Sequence, residues 1–307
     1  MFPSLNLRWS DQMAGRCLVI GAAGQLGQAL SAVLRSDYDV VEAVHRNPQP
    51  GQLVIDLEDA PRTIRTVADV RPEWILIAGA FCNVDRAETE REICFQVNAD
   101  TPRVIAEYAQ QLGTGVVFYS SDYIFDGTQE RYWETDVPTP LNVYAQSKVQ
   151  GEVAIRELLP AQHLILRTTW VYGPDDVRRN FVLRLISDVS TGNHVRVPLD
   201  QWGSPTYAED LARATHALLQ QGANGTFHVA GPECVDRYTL AQRICRCFGL
   251  NESLVQGVPT AQLGQLARRP LKVYLDCGRF QALGCASFRG IDAGLEALKA
   301  WYLSVVS

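Results

Sequence analysis

The chain has 307 residues, 47% hydrophobic and 20% charged, which suits a globular protein with a sizeable core and excludes a disordered one. A formal net charge of −6 gives nucleic acid no electrostatic footing as a partner. No stretch is apolar for long enough to span a membrane, so a membrane partner is not expected, and the eight cysteines form no C-x-x-C pair. They read as small buried side chains in a reducing, cytoplasmic compartment, with no metal site.

Residues 1–15 lack an apolar leader-like run and read as a flexible N-terminal extension, Met13 standing just ahead of the first strand. The next part alternates strand-length apolar runs with amphipathic stretches of helix length. Strands are predicted at 16–20, 38–44, 53–56, 74–78, 115–120 and 163–169. Helices are predicted at 25–34, 61–70 and 101–112, the last with Pro102 in its first turn, and from the proline-punctuated loop after Pro138 to about Leu158. This is the pattern of an α/β, doubly wound parallel sheet of Rossmann type spanning 16–172.

After Trp170 the rhythm breaks. Helices are predicted at 180–189, 208–221, 238–248 and from Ile291, strands at 195–198 and 225–230, and a loop-rich segment at 259–274. Residues 173–307 therefore read as a smaller, mainly substrate-binding lobe, with about 205–230 returning to the core.

Gly21-Ala22-Ala23-Gly24-Gln25-Leu26-Gly27 follows the first strand and opens a helix. Glycines at that spacing allow a tight turn, close approach of a pyrophosphate and close helix–sheet packing, and the helix start offers free N–H groups. The cofactor expected there is NADPH or NADH. Arg46, ending the second strand, reads either as the partner of a 2′-phosphate or as a solvated loop residue. Asp56 reads either as a contact to the adenine edge or as a helix cap, and Glu42 is the nearest ribose-binding acid.

Tyr144 and Lys148 fall on one face of the 138–158 helix, and Ser121 ends the strand before it. A ketone reduced by hydride needs a proton delivered to its oxygen, and a phenol can supply it. Moving a phenol from about pH 10 to about 7 takes roughly 4 kcal/mol, about what an ammonium 4 Å away supplies at an effective dielectric near 20. Ser121 would hold the carbonyl oxygen. Alone, Y-x-x-x-K is a common exposed helix pattern; with Ser121 and the glycine turn it reads as a reductase site.

The ordered motifs YSSDYIFDG (119–127), LNVYAQSKVQGE (141–152), LRTTWVYG (166–173), Asn180-Phe181, DQWGSPT (200–206) and ARRP (267–270) resemble the dTDP-4-dehydrorhamnose reductase family, an extended short-chain dehydrogenase/reductase group. The resemblance runs from about Arg16 to the C-terminus. It implies NAD(P)H-dependent reduction of the 4-keto group of dTDP-4-dehydro-L-rhamnose to dTDP-L-rhamnose, a nucleotide sugar made for polysaccharides. By position Ser121, Tyr144 and Lys148 match the catalytic trio. Asp122, Tyr123, Trp170 and Asn180 match substrate positions, and Asn98 matches an asparagine that supports the lysine and its water. Ala78 and Ala80 fall on the cofactor wall, where the family usually reads N-A-A-A-Y-T and this chain has Ile77 first and Cys82 last.

Tyr123 stands where sugar-nucleotide dehydratases carry a glutamate, which argues against elimination chemistry. A reductase or epimerase for another 4-keto-6-deoxy sugar nucleotide stays open. So does a dinucleotide-binding regulatory subunit like that of methionine adenosyltransferase, which resembles the same family. Monomer and homodimer are both open.

Overall fold

The computed structural model describes residues 15–176, 180–284 and 287–306, and all statements below concern these. The expected N-terminal extension lies, apart from Gly15, outside them. In chain order the first part contains β1 (Arg16–Ile20), α1 (Gln25–Leu34), β2 (Asp39–Val44), β3 (Leu53–Val54), α2 (Ala60–Val70) and β4 (Trp74–Ile77). There follow α3 (Val84–Thr89), α4 (Arg91–Phe95), a π-helical turn (Gln96–Asp100), α5 (Thr101–Leu112), β5 (Gly115–Ser121), α6 (Val143–Leu158) and β6 (His163–Thr168). The second part holds β7 (Val171–Tyr172), α7 (Phe181–Ser190), β8 (Val195–Pro198), β9 (Trp202–Gly203), β10 (Thr206–Tyr207), α8 (Ala208–Gln220) and β11 (Gly225–His228). Last come β12 (Val235–Asp236), α9 (Arg237–Phe248), β13 (Val255–Val258), α10 (Gly278–Gln281) and α11 (Ile291–Val306).

Seven strands form one parallel sheet in the order β11-β6-β5-β4-β1-β2-β3. Strand order reverses between β1 and β4, the place where a doubly wound sheet opens a crevice at its carboxyl edge. Alternation along the strands builds two cores. Cys17 and Val19 join Leu30, Leu76, Leu166, Leu211 and Phe227 on one face. Leu18 and Ile20 join Ile75, Phe118, Ile105 and Ile155 on the other. Because β11 pairs with β6 and α8 lies on α1, the chain revisits the sheet after building β8 to β10. A third cluster, around Leu183, Ile186, Leu240, Ile244 and Leu295, ties α7, α9 and α11 together.

The structure departs from expectation in places. The third strand stops at Val54, because Asp56 turns its carboxylate to the Glu58 N–H and its carbonyl to the Thr63 hydroxyl. The sixth ends at Thr168 and the eleventh at His228, each shorter than read. Helices α3 and α4 were not expected: both are short, and α3 is set by the Asn83 cap on the Arg86 N–H more than by any apolar stripe.

Candidate active site

The glycine turn is shaped by backbone against backbone. Gly21 has φ +90°, and a Cβ on Gly27 would run into the Gly21 carbonyl and Ala22 Cα. Gly24 is the α1 N-cap and contributes no side-chain cap, so the first N–H groups of α1 are left for a ligand. A pyrophosphate fits this cradle, which any added Cβ would narrow.

Gln25 points away from it: its amide nitrogen donates to the Val171 carbonyl (3.0 Å), and its oxygen accepts from the Asn180 amide (3.0 Å). Leu26 packs against the first core. Ala78 and Gly79 N–H groups both bond the Ile20 carbonyl, which holds Ala78 and Ala80 beside the turn.

At the adenosine end, Glu42 is taken up by Arg35 (2.5 Å) and Gln52 (2.8 Å) and is not free for a ribose. Arg46 is exposed and has no polar partner among the described residues, next to Asn47 at φ 53°. Asp56, expected at the adenine edge, caps the Glu58 N–H and lies 3.4 Å from His45 Nε2.

Ser121 ends β5 at the crevice. Its Oγ donates to Asp122 Oδ1 (3.0 Å) and accepts from the Tyr123 N–H (3.2 Å). Tyr144 is buried in the first turn of α6, capped by Asn142, with its ring edge-on to Tyr123 at 6.2 Å. One turn on, Lys148 donates to the Tyr119 carbonyl (2.8 Å) and sits 4.5 Å over the Phe118 ring.

Burial pulls the Lys148 ammonium down to about 8, against the neighbouring Cys82 and Glu152, which raise it. The expectation of a near-neutral Tyr144 is corrected. Burial pushes this phenol well above its usual range, Cys82 adds to the rise, and only the Ser121 hydrogen bond opposes it. Lys148 is occupied by a carbonyl and an aromatic face. Tyr144 therefore holds its proton, the form a proton donor requires.

Asn98, expected to support Lys148, sits in the π-helical turn and uses its amide elsewhere. It accepts from the Phe81 N–H (2.9 Å) and donates to the Phe81 carbonyl (3.0 Å) and Ser147 Oγ (3.0 Å). It thus clamps the strand-end loop to the helix that carries Tyr144 and Lys148.

Beyond Ser121, Asp122 is buried and accepts from the Thr169 hydroxyl (2.7 Å). Burial lifts its carboxyl to about 6, opposed by the Thr169 and Ser121 bonds and by the charge of Arg237. Trp170 takes a left-handed φ of 44° and packs its ring against Gly203, which has no side chain to block it. Asn180, expected at the substrate, is given structural work: it caps α7 through the Leu183 N–H and binds Gln25 and Gly173.

Sequence reasoning left out Arg237 and Arg269 as site residues. Arg269 reaches Asp85 through a two-pronged ion pair (2.9 and 3.0 Å) and bears on Tyr123. Arg237 opens α9, where a cation opposes the helix dipole; that mismatch was its one visible signal. Trp202 and Trp133 are exposed, and Asp200 is a cap for Thr260.

Glycine turn, strand-ending serine and Tyr–Lys helix together define the extended short-chain reductase architecture. The chain belongs to the RmlD substrate binding domain family, whose model matches residues 15–302. It is 34% identical over 292 residues to a dTDP-4-keto-6-deoxy-D-glucose reductase of Streptomyces niveus, covering 94% of each chain. It is 30% identical to methionine adenosyltransferase 2 subunit beta of Bos taurus, covering 92% of this chain and 86% of that one. Among solved structures, the Bacillus anthracis dTDP-4-dehydrorhamnose reductase in complex with NADP superposes with a TM-score of 0.86 at 30% identity, over 94% of this chain and 100% of that one.

Proposed function

We propose that this protein is an NADPH-dependent reductase, also able to use NADH, that converts the 4-keto group of dTDP-4-dehydro-L-rhamnose into the alcohol of dTDP-L-rhamnose. The observation that carries this reading is buried Tyr144, one turn before Lys148 on α6, set beside the Ser121 that ends β5 at the crevice the glycine turn lines. Bound on that turn, the dinucleotide supplies the hydride.

The chain's own residues do the rest. Ser121 can turn its hydroxyl from Asp122 to the substrate's carbonyl oxygen and hold it beside the phenol. Tyr144 then delivers its proton to that oxygen as charge develops there. Lys148, still largely cationic at neutral pH, stabilises the phenolate left behind. Tyr123 offers no second carboxylate for elimination of water, so reduction is favoured over dehydration.

The name of the Streptomyces relative supports a second substrate, the corresponding dTDP-4-keto-6-deoxy-D-glucose. Intact Tyr144 and Lys148 support catalysis over a regulatory role like that of the adenosyltransferase subunit. The test is NADPH oxidation with each 4-keto nucleotide sugar. Wild type should turn over at least one, and Tyr144→Phe should lose about a thousandfold in kcat while binding NADPH normally. A wild type that binds NADPH but oxidises none with either sugar overturns the proposal.

A further inference from the structure

Arg237 is the unclaimed cation of the substrate crevice. Its guanidinium lies 3.7 Å above the Trp170 ring and 4.7 Å from the Phe181 ring, between the second residue after β6 and the first residue of α7. Its charge is felt by Asp122 and Tyr123, so it faces the catalytic side.

Other arginines packed into this part of the molecule are closed by carboxylates. Arg269 has Asp85, Arg243 has Glu233 and Asp292, and Arg289 has Glu209 and Asp210. Arg237 has no such partner among the described residues, and its five N–H donors remain available. Exposed Arg184, one turn into α7, is equally unpaired there and repels it. Asp236 already caps α9 through the Thr239 N–H and Asn180 caps α7, so an anion here would be met by the two arginine side chains, neither of which is in an ion pair among the described residues.

The contacts also order the crevice. The Arg237 backbone N–H donates to the Gln201 carbonyl (2.9 Å), and the Gln201 amide reaches Thr260 (3.1 Å) and Gln265 (3.0 Å). Those two line an open cavity of about 520 Å³ that also includes Arg268 and Leu141. Arg237 thus stands near Asp122 and Tyr123, which feel its charge, and is tied through Gln201 to the wall of a nucleoside-sized cavity. A nucleotide sugar laid with its ketone at Ser121 carries both its negative charges in the linking diphosphate, since its sugar and base are neutral.

Resting on the reductase reading, we infer that Arg237 is a positioning residue that grips the substrate's diphosphate, its plane fixed in advance by Trp170 and Phe181. A guanidinium fork matches two phosphate oxygens, and the aromatic clamp removes most of the rotamer freedom it would otherwise lose.

The experiment is calorimetric titration of the full chain with dTDP, with thymidine and with NADPH. Arg237→Met should weaken dTDP about thirtyfold, the size expected for losing charge-assisted hydrogen bonds, and leave thymidine and NADPH unchanged. Arg237→Lys should restore part of the loss, and in turnover KM should rise more than kcat falls. Arg237→Gln gives the same comparison should the methionine variant fail to fold. Equal dTDP affinity in wild type and variant overturns the role of Arg237 and leaves the reductase reading standing. Equal weakening of dTDP and thymidine makes Arg237 structural glue and also overturns it. A wild type with no affinity for dTDP strikes the reductase reading itself.

Discussion

The two ends of the crevice are built in opposite ways. The dinucleotide end is made of main chain: a turn whose glycines touch one another and a helix start with free N–H groups. The substrate end is made of side chains brought from far apart, such as Arg269 on Asp85 and Arg237 on Trp170. A backbone cradle tolerates no added atom at Gly21 or Gly27, where a Cβ would collide with main chain. A side-chain cradle can change specificity one residue at a time, which suits a fold that serves many nucleotide sugars.

The contrast breaks most directly at Gly27. Gly27→Ala places a methyl against the Gly21 carbonyl, and neither backbone segment can give way without losing the turn. NADPH affinity should fall at least a hundredfold by fluorescence titration, roughly 3 kcal/mol, as overpacking against main chain requires. An affinity within threefold of wild type would mean the turn is looser than its geometry.

At the other end, Asp122 tests how much charge the side-chain cradle carries. Its folded carboxyl titrates near 6, above the 3.8 of an exposed aspartate. The stability it contributes is therefore complete below pH 3.8 and is lost as pH rises through 6. Asp122→Asn removes this dependence. Relative to wild type, the variant should gain stability between pH 4 and 7, by roughly 3 kcal/mol at most. Parallel melting curves across that range would show that Asp122 titrates normally.

The smallest effect is expected at Arg46. If it reads a 2′-phosphate, Arg46→Ala should raise KM for NADPH by about fivefold and leave that for NADH alone, the scale of one exposed ion pair. Equal effects on both dinucleotides would return Arg46 to the solvated loop.

The same division explains what could be read from the sequence. Strand runs, the glycine spacing and the Tyr144–Lys148 face are local patterns, and the parallel sheet and the trio follow from them. The resemblance assigns Asn98 to the lysine and its water and Asn180 to the substrate, but their amides are filled by Phe81, Ser147 and Gln25, partners that no spacing reveals. Tyr144 was expected near neutrality because an ammonium stood one turn away. Burial, invisible in a string of residues, raises the phenol instead, while the ammonium is turned to the Tyr119 carbonyl and the Phe118 ring. Arg237 shows in the sequence only as a cation set against the helix dipole, a weak signal; its missing carboxylate emerges only from the folded contacts.

The Gln25 amide spans two seats. One of its ends holds the Val171 carbonyl and the other holds Asn180 at the start of α7, while its own backbone belongs to the turn that cradles the dinucleotide. A displacement of that turn would reach the loop beside Trp170 through two hydrogen bonds, and any coupling of the two ligands by this route would obey linkage. Such linkage is reciprocal: whatever factor a bound dinucleotide would add to the affinity for the nucleotide sugar, the sugar would add to that for the dinucleotide.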